Sequence, residues 1–356
     1  MPAPEHPIVI SADSHVLEPT GLWAERLPAS LRAAVPKFAE HQLGAGFMHH
    51  PGGHDPNARL DEMAADGVHA EVLYPTLGLS LFQLDDAQLQ QACFRIYNDW
   101  MIDYCRVAPE RLIGVAAISV YDIDHGVAEL ERCRKAGLRG AMVWQSPHDS
   151  LPFSSHHYDR LWAAAQDHAM PVSLHILTGH GNSKAALAAI GSGNNIERYR
   201  RAVNLKLLDV SNAIFDLIFY GALDRHPRLQ IVTVENEVGW MPFLFQQWDY
   251  YCDKFKAGNP AGLRRHPGEY LQGQVFGTFF NDRVGGRSLA GWGEQACMWS
   301  NDFPHPNSTW PNSRRVIAEH LGHLDASTLQ RVLCGNAAGL YGLDLEYLAR
   351  VRDAVA

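Results

Sequence analysis

Positive charge is scarce in this chain of 356 residues: 30 Lys and Arg stand against 39 Asp and Glu, for a net charge of −9. No cluster of basic side chains could track a phosphate backbone, so a nucleic-acid partner is not expected. Cysteine is sparse as well. The six (Cys93, Cys105, Cys133, Cys252, Cys297 and Cys334) are scattered without a CxxC spacing, which excludes a disulfide framework and a thiolate zinc site. Long apolar runs are missing altogether. None reaches the roughly 18 residues that would cross a bilayer, and MPAPEHPIVI has no basic region ahead of an apolar stretch. The expectation is a soluble, cytoplasmic protein with no membrane partner. It should take a small-molecule substrate, and self-association into a homo-oligomer is left open.

What the chain does have is an ordinary globular balance, 46% apolar and 19% charged, enough to bury a large core. Eight short apolar runs recur along it: PIVISAD (7–13), HAEVLYP (69–75), LIGVAAIS (112–119), LRGAMVW (138–144), MPVSLHI (170–176), LQIVTVE (229–235), QVFGTFF (274–280) and ACMWSND (296–302). Continuous rather than alternating apolar character marks strands covered on both faces, as in a parallel sheet. Amphipathic stretches such as GVAELERCRKAGLRG, with Val127, Leu130 and Cys133 one helical turn apart, precede most of them. Eight such units predict a single (β/α)₈ barrel over 1–356, with a doubly wound sheet as the competing arrangement. Two stretches, about 19–58 and 177–228, are too long for simple connections and read as insertions over the active-site mouth.

In a barrel of this kind the C-terminal ends of the strands converge on one site. The first predicted strand ends with Asp13 and His15, two residues apart and so on one face. The fifth carries His175, the sixth ends in Glu235 and the eighth in Asp302. Taken singly, each has a plain explanation: a turn pair, a core histidine, an ion-pairing acid, a helix cap. Four strands each ending in a ligand-type side chain point jointly to a divalent metal, Zn²⁺, Mn²⁺ or Fe²⁺, one or two per chain.

The stretches IVISADSHVLEP, VSLHI, LDRHPRLQIVTVENEVGWMP, WSNDFPHPNSTWP and VLCGNAAGLYGL resemble the amidohydrolase superfamily. The resemblance is to its branch containing aminocarboxymuconate semialdehyde decarboxylase and the aromatic-acid decarboxylases. It implies a metal-dependent (β/α)₈ enzyme with Asp13, His15, His175 and Asp302 at the ligand positions. Two positions depart from the common pattern: Asp13 stands where a histidine is usual, and Glu235 or Asn236 occupies the place of a proton-transferring histidine.

Three chemistries follow. Hydrolysis of an amide, ester, lactone or C–C bond leads, with Asp302 taking a proton from a metal-bound water and His180 or His305 orienting the substrate or protonating the leaving group. Non-oxidative decarboxylation is the alternative, with His180 or Glu235 as proton donor. A non-haem di-iron oxygenase is the third, because three carboxylates (Asp13, Glu235, Asp302) are rich in hard donors. Trp144, Phe279, Trp299 and Trp310 are candidates for an apolar substrate wall, the first and second more readily read as core. Arg59 is a candidate for meeting a substrate carboxylate but reads more readily as an exposed helix arginine, and Asn336 as a partner for backbone groups near the last helix.

Overall fold

The computed structural model describes residues 7–37, 50–181, 206–255 and 262–355, with positions 196, 200 and 204. Eight parallel strands run in chain order around a single sheet, β1 (Ile10–His15), β2 (Ala70–Tyr74), β3 (Leu112–Ala117), β4 (Gly140–Val143), β5 (Val172–His175), β6 (Ile231–Val234), β7 (Val275–Phe279) and β8 (Cys297–Trp299). The ring closes just beyond β8, where Asp302 N–H donates to the Asp13 carbonyl at 3.0 Å and His15 N–H to the Phe303 carbonyl at 2.7 Å. The fold is therefore a (β/α)₈ barrel. All eight apolar runs of the sequence became its strands, and Val9, Val72, Val143, Val172, Val232 and Phe276 are buried as the strand assignments require.

A helix follows each strand: α1 (Pro56–Asp66), α2 (Ala87–Cys105), α3 (Ile123–Lys135), α4 (Asp159–Asp167), α5 (Leu208–Phe219), α6 (Met241–Lys254), α7 (Arg283–Ser288) and α8 (Ser313–Leu321). Their starts are chemically marked. Asp55, Asp86 and Asp122 each accept a hydrogen bond from an amide in the first turn of α1, α2 and α3. α1 ends on Gly67 at φ 71°, a left-handed cap. On α3 the periodic Leu130 and Cys133 are fully buried against the sheet.

One irregularity in β1 positions the candidate site. Between Ser11 and Ser14 the strand takes three steps while β2 takes two, from Glu71 to Leu73, so β1 carries one extra residue. Ser11 and Ser14 thereby both donate to the side-chain Oδ1 of Asn301, at 2.9 and 2.8 Å, while Asp13 and His15 meet inside the barrel. The bulge thus sets the Asp13 and His15 side chains at the C-terminal end of the strand. Of the two insertions, positions 38–49 and 182–195 lie outside the described residues. Within the described part of the first, a tight Pro51–Gly53 turn sits where a Cβ on Gly52 would lie 2.7 Å from the Arg59 Cα, so only glycine lets the turn approach α1.

His69, at the entry to β2, supplies a stability prediction. Its Nδ1 accepts the Val9 N–H at 3.0 Å, so the neutral ring carries its proton on Nε2. Burial, followed by the charge of Arg314, pushes this imidazole down to about 4. The unfolded chain then binds more protons than the folded one below the ordinary histidine value of about 6.5, so stability is full above that pH and is lost as pH falls towards 4. Urea unfolding between about pH 7.5 and about pH 4.5 should cost the wild type ~2–3 kcal/mol more than His69→Asn. Equal pH slopes in the two proteins would remove His69 from the account.

Candidate metal centre

His15 and His175 end β1 and β5 with their rings oriented by backbone carbonyls. His15 Nδ1 lies 2.7 Å from the Pro75 carbonyl oxygen, and His175 Nδ1 lies 2.8 Å from that of Ile176. A carbonyl only accepts, so each neutral ring carries its proton on Nδ1 and presents a lone pair at Nε2. Those two Nε2 atoms face each other at 3.3 Å. Asp13 Oδ1 stands 3.5 Å from the first and 3.8 Å from the second, and Asp302 Oδ1 stands 3.5 Å from the first. All four side chains are fully buried, and none of the four carboxylate oxygens receives a hydrogen bond of good geometry among the described residues. Lone pairs converging in a dry site repel one another unless a cation lies among them. Two imidazoles and two carboxylates suit a divalent ion such as Mn²⁺, Zn²⁺ or Fe²⁺, so the donor set fits the expected metal.

The electrostatics separate the two acids. Burial alone would raise the Asp13 carboxyl, but contact with His15 and His175 outweighs it and holds the group below the usual carboxylate range. Asp302 goes the other way, pushed well up by burial and by the negative charge of Asp13. Two adjoining buried carboxylates do not both ionise cheaply, and Asp13, beside both histidines, is the one that keeps the charge. Burial and the charge of His305 push His15 down to about 4. Burial would also lower His175, but the Asp13 carboxylate raises it on balance.

His305 and Glu235 border this group. His305 stacks on His15 with ring centroids 3.7 Å apart, places Nδ1 3.0 Å from Asp302 Oδ1 and puts Nε2 3.1 Å from the Thr76 hydroxyl. Glu235 follows β6 and brings Oε2 to 3.9 Å from His175 Nε2. Glu235 and Asp302 both have left-handed backbone, φ 60° and 55°, a conformation costing a non-glycine residue roughly 1–2 kcal/mol and found where a side chain must be aimed. The donor atoms of Asp13, His15 and His175 lie within 4.8 Å of one another, as do those of His15, Glu235, Asp302 and His305.

His180 lies in another group. Its Nδ1 is 3.6 Å from Asp85 Oδ1, its Nε2 is 3.3 Å from the Tyr121 hydroxyl, and its ring centroid is 4.9 Å from that of His148 and 5.2 Å from that of Trp144. Trp144, Phe279 and Trp299 are buried in the core, and Trp310 packs on His50 and Phe303. Asn336 donates to the carbonyls of Glu294 and Cys297, as its sequence context suggested.

Arg59 corrects the expectation of an exposed helix arginine. It is fully buried, pairs through Nε with Glu71 Oε2 at 2.5 Å and donates from its guanidinium to the His15 and Phe303 carbonyls at 2.7 and 3.3 Å. Its charge is absorbed by Glu71 while it clamps the backbone on both sides of the site. Lys206, unmarked by any sequence signal, lies in the second insertion with Nζ 3.3 Å from Glu237 Oε1 and 5.2 Å from the Phe280 ring centre. Burial would lower its amine, but the charges of Glu235, Glu237 and Asp302 hold it above the usual lysine value.

Comparison with known proteins sets this arrangement among relatives. A region of 149 residues is 29% identical to decarboxylase orsB of Emericella nidulans, covering 39% of this chain and 42% of that protein, so the match spans about two fifths of the relative's length. Among solved structures, an amidohydrolase of Mycobacterium avium subsp. paratuberculosis K-10 superposes with a TM-score of 0.76 at 17% identity, over 96% of this chain and 100% of that one. The 5-carboxyvanillate decarboxylase LigW of Sphingomonas paucimobilis gives 0.69 at 21% identity, over 95% and 99%. A dihydroxybenzoic acid decarboxylase of Polaromonas sp. JS666, with bound manganese and the inhibitor 2-nitroresorcinol, gives 0.70 at 17%, over 94% and 97%. At these identities the structures speak for the fold. The sequence model of the amidohydrolase family matches residues 10–343, from the first strand to past the last, and the chain belongs to that family.

Proposed function

We propose that the chain catalyses the metal-dependent, non-oxidative decarboxylation of a small hydroxylated aromatic or related cyclic acid. The observation that carries the metal requirement is the convergence of two tautomer-locked imidazoles on Asp13 and Asp302, whose oxygens receive no hydrogen bond of good geometry among the described residues. The choice of decarboxylation over hydrolysis is supported by the likeness to aromatic-acid decarboxylases and to orsB. Residues 1–356 are taken as one catalytic barrel.

Asp13, His15, His175 and Asp302 would hold the ion. Bound there, a divalent cation supplies a Lewis acid for the oxygens of the substrate carboxylate and its neighbouring hydroxyl. The residues do the rest. Asp302 gives a proton to the ring carbon that bears the carboxylate. The C–C bond then breaks, its electron pair restores the aromatic ring, and CO₂ leaves. His305, in contact with Asp302 and partly open to solvent, returns the proton. Glu235 accepts a hydrogen bond from a ring hydroxyl, and Lys206 offsets the surplus of carboxylates around an anionic substrate.

Manganese-loaded protein should release CO₂ from 2,6-dihydroxybenzoate, 5-carboxyvanillate or a close hydroxybenzoate, with the decarboxylated arene as the co-product by chromatography. Water-dependent cleavage of an amide, ester or lactone panel without CO₂ release would replace this reading by hydrolysis. Substrate-coupled oxygen consumption by iron-loaded protein would replace it by oxygenation.

A further inference from the structure

We propose that Glu18 is a positioning residue for the metal centre, acting on His15 and His305 through the backbone that follows β2. Resting on the metal reading above, the inference accounts for the acid in the SHVLEP stretch, which that reading leaves without a task.

Glu18 is a buried carboxylate with no ion pair among the described residues. Its two oxygens instead accept three consecutive backbone N–H groups: Oε2 those of Thr76 at 3.1 Å and Leu77 at 3.0 Å, Oε1 that of Gly78 at 2.9 Å. Burial raises this carboxyl to about 7, and the three amide donors oppose the rise by favouring its ionised form. A side chain from the loop after β1 thus fixes the loop after β2. Gly78 belongs to the same device, because a Cβ there would lie 2.9 Å from Glu18 Oε1 and 2.9 Å from the Pro75 Cβ.

The pinned segment is the one that orients two imidazoles of the centre. The Pro75 carbonyl accepts a hydrogen bond from His15 Nδ1–H at 2.7 Å, which turns Nε2 towards Asp13 and Asp302. The adjacent Thr76 hydroxyl meets His305 Nε2 at 3.1 Å, which leaves Nδ1 against Asp302. A plain capping role at the turn Leu77–Gln83 would need the amides of 76–78 but would not require the Pro75 carbonyl and the Thr76 hydroxyl to meet two imidazoles. His175 provides an internal control, since its ring is held by its own neighbour Ile176, on the far side of the barrel from this loop. Groups that hold a ligand's second nitrogen typically change metal affinity 10–100-fold when removed.

The test uses the full chain with Mn²⁺ for affinity and Zn²⁺ for histidine ring NMR, comparing wild type, Glu18→Gln, Glu18→Ala and Thr76→Val. Glu18→Gln keeps one acceptor, so the Mn²⁺ dissociation constant should rise about 10-fold, and further in Glu18→Ala. In Zn²⁺-loaded Glu18→Gln the His15 and His305 ring signals should move further than those of His175, which meets the loop only through His15. Thr76→Val should move His305 most, with a smaller response in the stacked His15 ring. Should Glu18→Ala fail to fold, the isosteric Gln variant carries the comparison. An unchanged Mn²⁺ constant in Glu18→Gln, or His175 signals moving as far as those of His15, overturns the positioning role while leaving the metal reading intact. Wild type that binds no Mn²⁺ at micromolar concentration overturns both.

Discussion

His15→Ala and His175→Ala should each purify folded but with bound metal reduced to a small fraction of the wild-type content, and with the proposed decarboxylation abolished. Each substitution deletes an Nε2 donor that a backbone carbonyl has already turned to the centre, so no neighbouring nitrogen replaces it. Loss of a direct ligand should exceed the roughly 10–100-fold weakening typical of its outer partners. The barrel should persist, because its stability lies in the buried strand layers and the site sits at their C-terminal ends. His180→Ala is the control: its ring belongs with Asp85, His148 and Tyr121, so metal content should be unchanged. Elemental analysis of anaerobically purified proteins reads all three. Near-stoichiometric metal in both ligand variants would overturn the assignment, and loss of metal in His180→Ala would enlarge the centre.

Much of this site was legible in the sequence because barrel geometry converts a strand end into a location. Asp13, His15 and His175 terminate apolar runs, and once eight runs were recognised their convergence followed. Asp302 and Glu235 were legible by type and position but not by conformation. β8 stops at Trp299, three residues before Asp302, and nothing local announces the left-handed backbone that turns either acid into the site. What escaped were groups whose role depends on a distant partner. Arg59 looks like a surface helix residue until Glu71, 12 positions on, is seen to bury it. Glu18 and Thr76 are 58 residues apart and acquire meaning only when their two loops touch. Lys206 sits in a segment whose helical pattern carries no sign of the barrel mouth. Periodicity reports which face is buried and is silent on which polar atoms meet across loops.

The sharpest division of labour is expected between Asp302 and Glu235. Asp302→Asn keeps the volume and one oxygen but cannot deliver a proton, so CO₂ release should fall about 10³–10⁴-fold, near the upper range for a positioned acid. Metal content should fall less than in the histidine variants, because the amide oxygen can still coordinate. Glu235→Gln asks how many ions the centre holds. Its Oε2 reaches His175 Nε2 no closer than 3.9 Å, and its side chain keeps 12% of its surface exposed, the placement of a group that faces substrate. With one ion held by Asp13, His15, His175 and Asp302, the Gln variant should retain the wild-type metal per chain while CO₂ release drops about 10²-fold, through loss of the hydrogen bond to the ring hydroxyl. A centre of two ions would respond differently, since removing a first-shell carboxylate from one of them should cut metal content roughly in half. That halving, seen by elemental analysis beside an unaltered unfolding midpoint, would defeat the single-ion assignment and make Glu235 a ligand. Retained metal with a 10²-fold slower turnover would leave Glu235 where its geometry puts it, beside the substrate at the rim of the site.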